Sequence, residues 1–293
     1  MSTETRPKVW LITGSARGLG RAIAQTALAA GEYVVATARD PRTLADLADR
    51  YGTQMRAAAL DVTDALAAAQ AVQTALDAFG RLDVLVNNAG FGHIAPFEQT
   101  PAADFRAQID TNFYGVVNVT RAALPVLRRQ GAGHIFQISS VGGRTSAAGL
   151  SAYQAAKWAV GGFTEVISQE LAPFNVHVTA LEPGGMKTEW SHEAGRAIPP
   201  LFAEYEPSVG RLLELLRDHV GNEASDPAKV AQLILRLAYH DHLPPHLLLG
   251  SDALHYCGAA ETTRAEYAMR WREVSASTDF AASGPEPALP VLA

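Results

Sequence analysis

The feature that most constrains this chain is an alternation. Short, apolar, β-rich runs are each followed by a longer alanine-rich stretch of helical period. Residues 9–13, 33–37, 55–60, 84–86, 134–138 and 176–181 read as strands, and residues 19–30, 44–51, 66–79, 105–127 and 151–171 as helices. Runs such as Val9-Trp10-Leu11-Ile12 lack the in–out alternation of a sheet with one wet face, so both faces are expected to be covered. Helical crossovers between parallel strands are right-handed. The expected fold class is therefore α/β, a doubly wound parallel sheet with helices on both faces.

A chain of 293 residues with 48% hydrophobic content can bury one sizeable core. No break in composition interrupts residues 8 to 250, so residues 8–275 are expected to form a single domain of the Rossmann type. Residues 1–7 read as a flexible N-terminus and residues 276–293, ending PEPALPVLA, as a weakly ordered tail. The net charge is −6 and no basic run stands out, which argues against a nucleic-acid surface. Cys257 is the only cysteine, so no intrachain disulfide can form; this fits a reducing cytoplasm. No apolar run approaches the ~20 residues of a membrane span, and MSTETRPK lacks the apolar stretch of a signal peptide. A cytoplasmic protein with no membrane or nucleic-acid partner is expected.

Thr13-Gly14-Ser15-Ala16-Arg17-Gly18-Leu19-Gly20 joins the first strand to the first helix. Glycines there let the backbone turn sharply toward a pyrophosphate, and the helix N-terminus offers free N–H groups. The spacing is neither G-x-G-x-x-G nor a P-loop. The second strand ends Ala36-Thr37-Ala38-Arg39-Asp40. Dinucleotide sites that take NAD(H) place an acid near here. Asp40 precedes Pro41, however, and reads as a helix N-cap with proline at the first position. Arg17 and Arg39 could clamp a 2′-phosphate, which favours NADP(H) over NAD(H). The alternative is that both are solvated surface residues.

Tyr153-Gln154-Ala155-Ala156-Lys157 opens a long helix and puts a phenol and an ammonium on one face. A phenol normally titrates near 10, and a fixed cation beside it favours the phenolate. Upstream, Ser139-Ser140-Val141-Gly142-Gly143 follows a strand, with Ser140 13 residues before Tyr153. The order and spacing of these motifs over residues 8 to about 190 resemble the short-chain dehydrogenase/reductase family, most closely its 17β-hydroxysteroid/retinol dehydrogenase-like branch.

The resemblance implies an NADP(H)-dependent oxidoreductase that interconverts a carbonyl and an alcohol. It makes Gly14, Ser15, Arg17, Gly18, Leu19 and Gly20 the dinucleotide loop, with Leu19 standing where isoleucine is common. It places the family's acid position at Ala38, next to Arg39. Leu60-Asp61-Val62-Thr63 would meet the adenine, although Asp61 could be only a helix-side cap. Asn87-Asn88-Ala89-Gly90 would flank the cofactor. Pro183, Gly184 and Thr188 would meet the nicotinamide carboxamide. Ser140 would orient the carbonyl, with Ser139 as second choice, and Tyr153 would donate the proton. Lys157 would bind the nicotinamide ribose and lower the Tyr153 pKa. Asn112 would hold a relay water, its alternative role being a buried helix contact. The resemblance also implies a homodimer or homotetramer through helices 105–127 and 151–171.

Between Glu189 and Asn222 the alternation stops, and Trp190, Ile198, Phe202, Tyr205 and Leu212 to Leu216 supply apolar bulk. In this fold such a segment hangs over the C-terminal strand ends, and a long one reads as a helical substrate lid (189–222) for a bulky apolar substrate. The other reading is packing of these residues on each other or on a second subunit. His240, Asp241, His242 and His246 read as a turn before a final strand, with no metal site. His93 reads as a solvated loop residue that could face substrate. The rival to an enzyme is a catalytically silent NADP(H)-binding regulator, which would be expected to lack Tyr153 or Lys157.

Overall fold

A computed structural model of the chain describes residues 6–190, 194, 200–219, 221–280 and 286–290. Most of the expected N-terminal segment, the lid residues 191–193, 195–199 and 220, including Ile198, and tail residues 281–285 and 291–293 lie outside the described residues.

Seven strands form one sheet: β1 (Val9–Ile12), β2 (Tyr33–Ala38), β3 (Met55–Ala59), β4 (Val84–Asn87), β5 (Gly133–Ile138), β6 (Val176–Pro183) and β7 (His246–Leu249). Their order is β3-β2-β1-β4-β5-β6-β7, and every neighbouring pair is parallel. The helices are α1 (Gly18–Ala29), α2 (Ala45–Tyr51), α3 (Ala65–Phe79), α4 (Ala102–Ile109), α5 (Gly115–Gln130) and α6 (Ser151–Leu171), followed by α7 (Arg211–His219), α8 (Pro227–Leu237), α9 (Ser251–Arg270) and α10 (Arg272–Ala276). This is the doubly wound α/β fold of the sequence reading.

The unalternating strands are explained by two cores. Trp10 and Ile12 face Ile23 and Leu28 of α1 and Ile234 of α8. Val9 and Leu11, one residue out of phase, face Val72 of α3 and Val119 and Leu127 of α5. The chain leaves β1 and β4 toward opposite halves of the sheet, so a crevice opens at their C-terminal ends.

The expected helix 105–127 is not continuous. A π-helical turn, Asp110–Tyr114, separates α4 from α5. Its cause is local: the Asn112 side chain donates to the Gln108 carbonyl (2.8 Å), the acceptor that the α-helical ladder would otherwise use. Asp40 caps the 3₁₀ turn Pro41–Leu44 and accepts from the Arg42 N–H at 3.0 Å, as its sequence context predicts. Beyond β6 the chain builds α8 ahead of the turn to β7, and also helices α9 and α10, which the sequence reading did not identify.

Candidate active site

The loop between β1 and α1 is held open by its own chemistry. Gly14 and Gly18 adopt φ values of +68° and +55°, where a side chain would be strained. A Cβ on Gly20 would lie 2.3 Å from the Gly14 carbonyl oxygen. Asn88 donates to the carbonyls of Thr13 (3.0 Å) and Gly14 (3.2 Å), while the Thr13 hydroxyl accepts from the N–H groups of Asn88 (2.9 Å) and Ala89 (3.0 Å). The loop after β4 thus fixes the loop after β1. The Ser15 hydroxyl donates inward to Ile12 O at 2.9 Å, and Leu19 is buried in the core, so both side chains build the loop. Arg17 occupies the N-cap of α1 without a capping side-chain bond to the helix, leaving its first N–H groups facing the loop. Positive-φ glycines beside open helix donors fit a dinucleotide pyrophosphate.

The other residues expected at the cofactor surround this cradle. Arg17 pairs with Glu189 at 3.2 Å, joining the loop to the start of segment 189–222. Thr188 stands beside Gly18, with its Cβ 3.9 Å from where a Gly18 Cβ would be. Ala38 is buried at the tip of β2 and Arg39 beyond it is exposed. Asp61 is not the cap of α3, a role taken by Asp64. Its carboxyl accepts from the Thr63 N–H and hydroxyl, and these bonds, then the nearby Arg39 charge, hold its pKa below the usual value. Val62 is buried against Gly115 of α5. Pro183 ends β6, and the Gly184 N–H donates to Leu249 O of β7 at 3.0 Å.

Tyr153 and Lys157 lie on the buried face of α6, one turn apart. Lys157 Nζ is 5.6 Å from the Tyr153 ring centroid and donates to Ile138 O at 2.7 Å. Ser140 follows β5 and stands near enough to the phenol to favour its ionised form slightly, while its hydroxyl accepts from the Gly142 N–H at 3.0 Å. Ser139 is turned away, donating to Lys157 O at 3.4 Å. Asn112 is fully buried and clasps the loop after β4. It donates to Phe91 O (2.7 Å) and accepts from Phe91 N–H (3.1 Å). A Cβ on Gly90 would lie 2.5 Å from Asn112 Oδ1 and 3.7 Å from Lys157 Nζ, so Gly90 is what lets the two approach.

Burial acts on both members of this pair. The Tyr153 pKa is not lowered in this structure; burial pushes it up to about 12, and the Ser140 hydroxyl only partly offsets this. Burial likewise pushes Lys157 down to about 8. A dry wall disfavours both charged forms, a cost that residue spacing on a helix does not reveal. The side-chain nitrogen of Asn112 is occupied by Phe91 O and Gln108 O, which leaves Oδ1 as its remaining capacity for a water.

The segment that follows Thr188, expected to be a lid, meets this centre. The Trp190 ring centroid is 5.1 Å from that of Tyr153. Gly92 fits between them: a Cβ there would be 2.8 Å from Trp190 and 3.0 Å from Tyr153. Ile94, Ala194, Val209 and Leu213 bury one another, with Leu150, Trp190 and Leu201 packed on them. The histidines set aside in the sequence have other partners. His93 Nδ1 is 2.7 Å from Asp104, His246 Nδ1 is 2.7 Å from Glu182, and the His240 carbonyl pairs with His134 Nε2 at 3.0 Å.

A family model described as short chain dehydrogenase matches residues 8–198. The chain belongs to this family. It is 46% identical over 269 residues to oxidoreductase BOA17 of Botryotinia fuckeliana, covering 92% of this chain and 98% of that protein. Among solved structures, a short-chain dehydrogenase from Streptomyces avermitilis superposes with a TM-score of 0.86 at 38% identity, over 94% of this chain and all of that one. An alcohol dehydrogenase from Thermococcus sibiricus complexed with 5-hydroxy-NADP matches with a TM-score of 0.68 at 25% identity, over 84% and 97% of the two chains. A 3-ketoacyl-(acyl-carrier-protein) reductase from Brucella melitensis complexed with NADH matches at 0.72 and 27%, over 83% and 96%. This short-chain dehydrogenase is thus an oxidoreductase that uses a nicotinamide cofactor. Among the described residues, no helix is long and apolar enough to cross a membrane.

The sequence reading of this short-chain dehydrogenase missed a charged group behind Ser140. Glu182, on β6 just before Pro183, is fully buried; Arg144 and His246 lie against it. An acid inside an apolar strand was the available signal, but its partners are distant in sequence.

Proposed function

We propose that the chain is an NADP(H)-dependent reductase/dehydrogenase that interconverts a carbonyl and an alcohol on a bulky, mostly apolar substrate. The observation that carries this reading is the convergence of Ser140, Tyr153 and Lys157 beneath Trp190. Bound in the glycine cradle, the nicotinamide dinucleotide supplies or accepts the hydride. Ser140 orients the substrate oxygen next to the Tyr153 hydroxyl. In reduction Tyr153 donates its proton to that oxygen; in oxidation it removes one. Lys157 holds the nicotinamide ribose and, as a cation, favours the phenolate. Asn112 holds the loop after β4 against Lys157 and offers Oδ1 to a relay water. Asn88, Ala89 and Gly90 border the cofactor, and Pro183, Gly184 and Thr188 border its nicotinamide end.

Arg39, exposed beyond the uncharged tip of β2, and Arg17 on the loop support a 2′-phosphate. The neighbours carry one cofactor of each kind, so the preference rests on this chain's residues. The apolar cluster around Trp190 supports segment 189–222 as the lid on a single catalytic domain (8–275). Tyr114 and Val166, large apolar residues exposed in the helical region of the expected interface, support a homodimer or homotetramer. The test is a panel of small polar and large apolar carbonyls with NADPH and NADH. Higher kcat/KM for large apolar carbonyls with NADPH is expected; preference for small charged keto acids would overturn the lid reading.

A further inference from the structure

Ser140 and Arg144 are the two ends of one 3₁₀ turn, Val141–Gly143, with Ser140 as its N-cap and Arg144 as its C-cap. The turn is internally bonded, Gly143 N–H to Ser140 O at 2.8 Å and Arg144 N–H to Val141 O at 2.9 Å. It is also pressed against α6: a Cβ on Gly143 would lie 2.9 Å from Lys157 O. A link this short and crowded transmits displacement of one end to the other.

The Arg144 end is anchored from three sides. Its guanidinium faces the fully buried Glu182 at 3.5 Å and bonds Glu261 of α9. Its carbonyl accepts from Arg264 of α9 at 2.9 Å. Arg264 also lies over Trp158 of α6 at 5.3 Å, and Trp158 donates to Thr145 O at 3.2 Å. On the far side of Glu182, His246 Nδ1 sits at 2.7 Å, and its Nε2 is 3.0 Å from Glu165 without hydrogen-bond alignment. Hydrogen bonding to Glu182 raises the His246 pKa. Buried ion clusters of this kind seldom stabilise more than apolar residues of equal volume would, so one placed at the end of the Ser140 turn calls for a role in position rather than in stability.

We infer that Arg144 is a positioning residue for Ser140: β6, through Glu182, and α9, through Glu261 and Arg264, fix the far end of the turn whose near end presents the serine hydroxyl to Tyr153. The inference rests on the proposed role of Ser140. It makes α9 a buttress of the reacting centre.

The experiment is a double-mutant cycle on the full chain with NADPH and the panel carbonyl of highest kcat/KM. Ser140→Ala alone should lower kcat by about 100-fold or more, and Arg144→Met alone by about 10-fold, with the NADPH dissociation constant within about twofold of wild type. In the Ser140→Ala background, Arg144→Met should have no further effect, because the group it positions is gone. Two independent effects that multiply, or an unchanged kcat in Arg144→Met, would overturn the inference and leave Ser140 in place. Near-normal turnover of Ser140→Ala would remove the Ser140 assignment, and the inference with it. Glu261→Gln, at a half-exposed surface position, serves where Arg144→Met does not fold. A kcat loss of about twofold to threefold is expected, again absent without Ser140. No loss with Ser140 present would count against the buttress.

Discussion

The two ends of the sheet bury polar groups for opposite purposes. Where the strands begin, most of those groups have partners inside the fold, His134 Nδ1 excepted. Asp83 accepts from the Val9 N–H at 2.9 Å and is gripped by Arg81. Glu32 accepts from the Lys8 N–H, the Trp10 indole and the Tyr239 hydroxyl. His134 Nε2 meets His240 O. A cavity of about 250 Å³ lies there, lined by Lys8, Asp83, His134 and His177 among others; Asp83 and His134 are already engaged in closing strand ends. Where the strands finish, Lys157 makes one hydrogen bond to protein and Tyr153 is met by Ser140, although both are buried. An ammonium has three donors to satisfy. Spare capacity in a dry site is what a ligand can use; matched capacity is what a fold uses.

The sharpest break between the two ends comes from removing a group at each. Tyr153→Phe takes away the proton donor and almost no volume. Turnover should fall by at least ~10²-fold while NADPH binding, followed by fluorescence, and thermal stability stay near wild type. Near-normal turnover would remove Tyr153 as the acid. Asp83→Asn should do the reverse. It leaves the Val9 donor and Arg81 with a weaker partner and should cost about 2 kcal/mol in denaturant unfolding. Activity per folded molecule should not change; a loss of kcat without a loss of stability would mean the two ends are coupled.

Arg39→Ala sharpens the comparison on the cofactor side. Loss of one charge-assisted contact to a 2′-phosphate should raise the NADPH dissociation constant about tenfold and leave that for NADH unchanged. Equal wild-type affinity for both cofactors would sink the preference itself.

How much of this was legible beforehand follows from where the information lies. Strand polarity, the glycine loop and the Ser140, Tyr153 and Lys157 set are carried by short runs of sequence, and the structure brings them together. The π-turn was not legible, because it depends on Asn112 winning a backbone acceptor from the helix ladder. The Arg144 cluster was not legible either: Glu182 finds partners 38 and 64 residues away, in a turn and on another strand. The direction of the Tyr153 shift in this structure was not legible for a related reason. Helical spacing shows that a lysine is near, but the depth of burial that outweighs it is a property of the packed chain.

The smallest effect expected separates the two ends by pH, through one histidine at each. At the strand starts, burial pushes His134 down to about 4, so the folded chain keeps it neutral while the unfolded chain protonates it near 6.5. Stability is therefore lost as pH falls from about 6.5 toward 4. Toward the other end of the sheet, His246, which opens β7 level with Ala180 of β6, is shifted the other way, raised chiefly by its hydrogen bond to Glu182. Its contribution is fully present below about 6.5 and is lost as pH rises through the raised value. His134→Gln keeps a donor for His240 O, so it should cost only about 1 kcal/mol at neutral pH and flatten the acid limb. His246→Gln should leave that limb's slope alone and lower stability more at pH 6 than at pH 9. Melting temperatures of the two variants across that range decide the matter. If both lose stability in the same window, burial and pairing do not distinguish the two ends of the sheet in the way their contacts indicate.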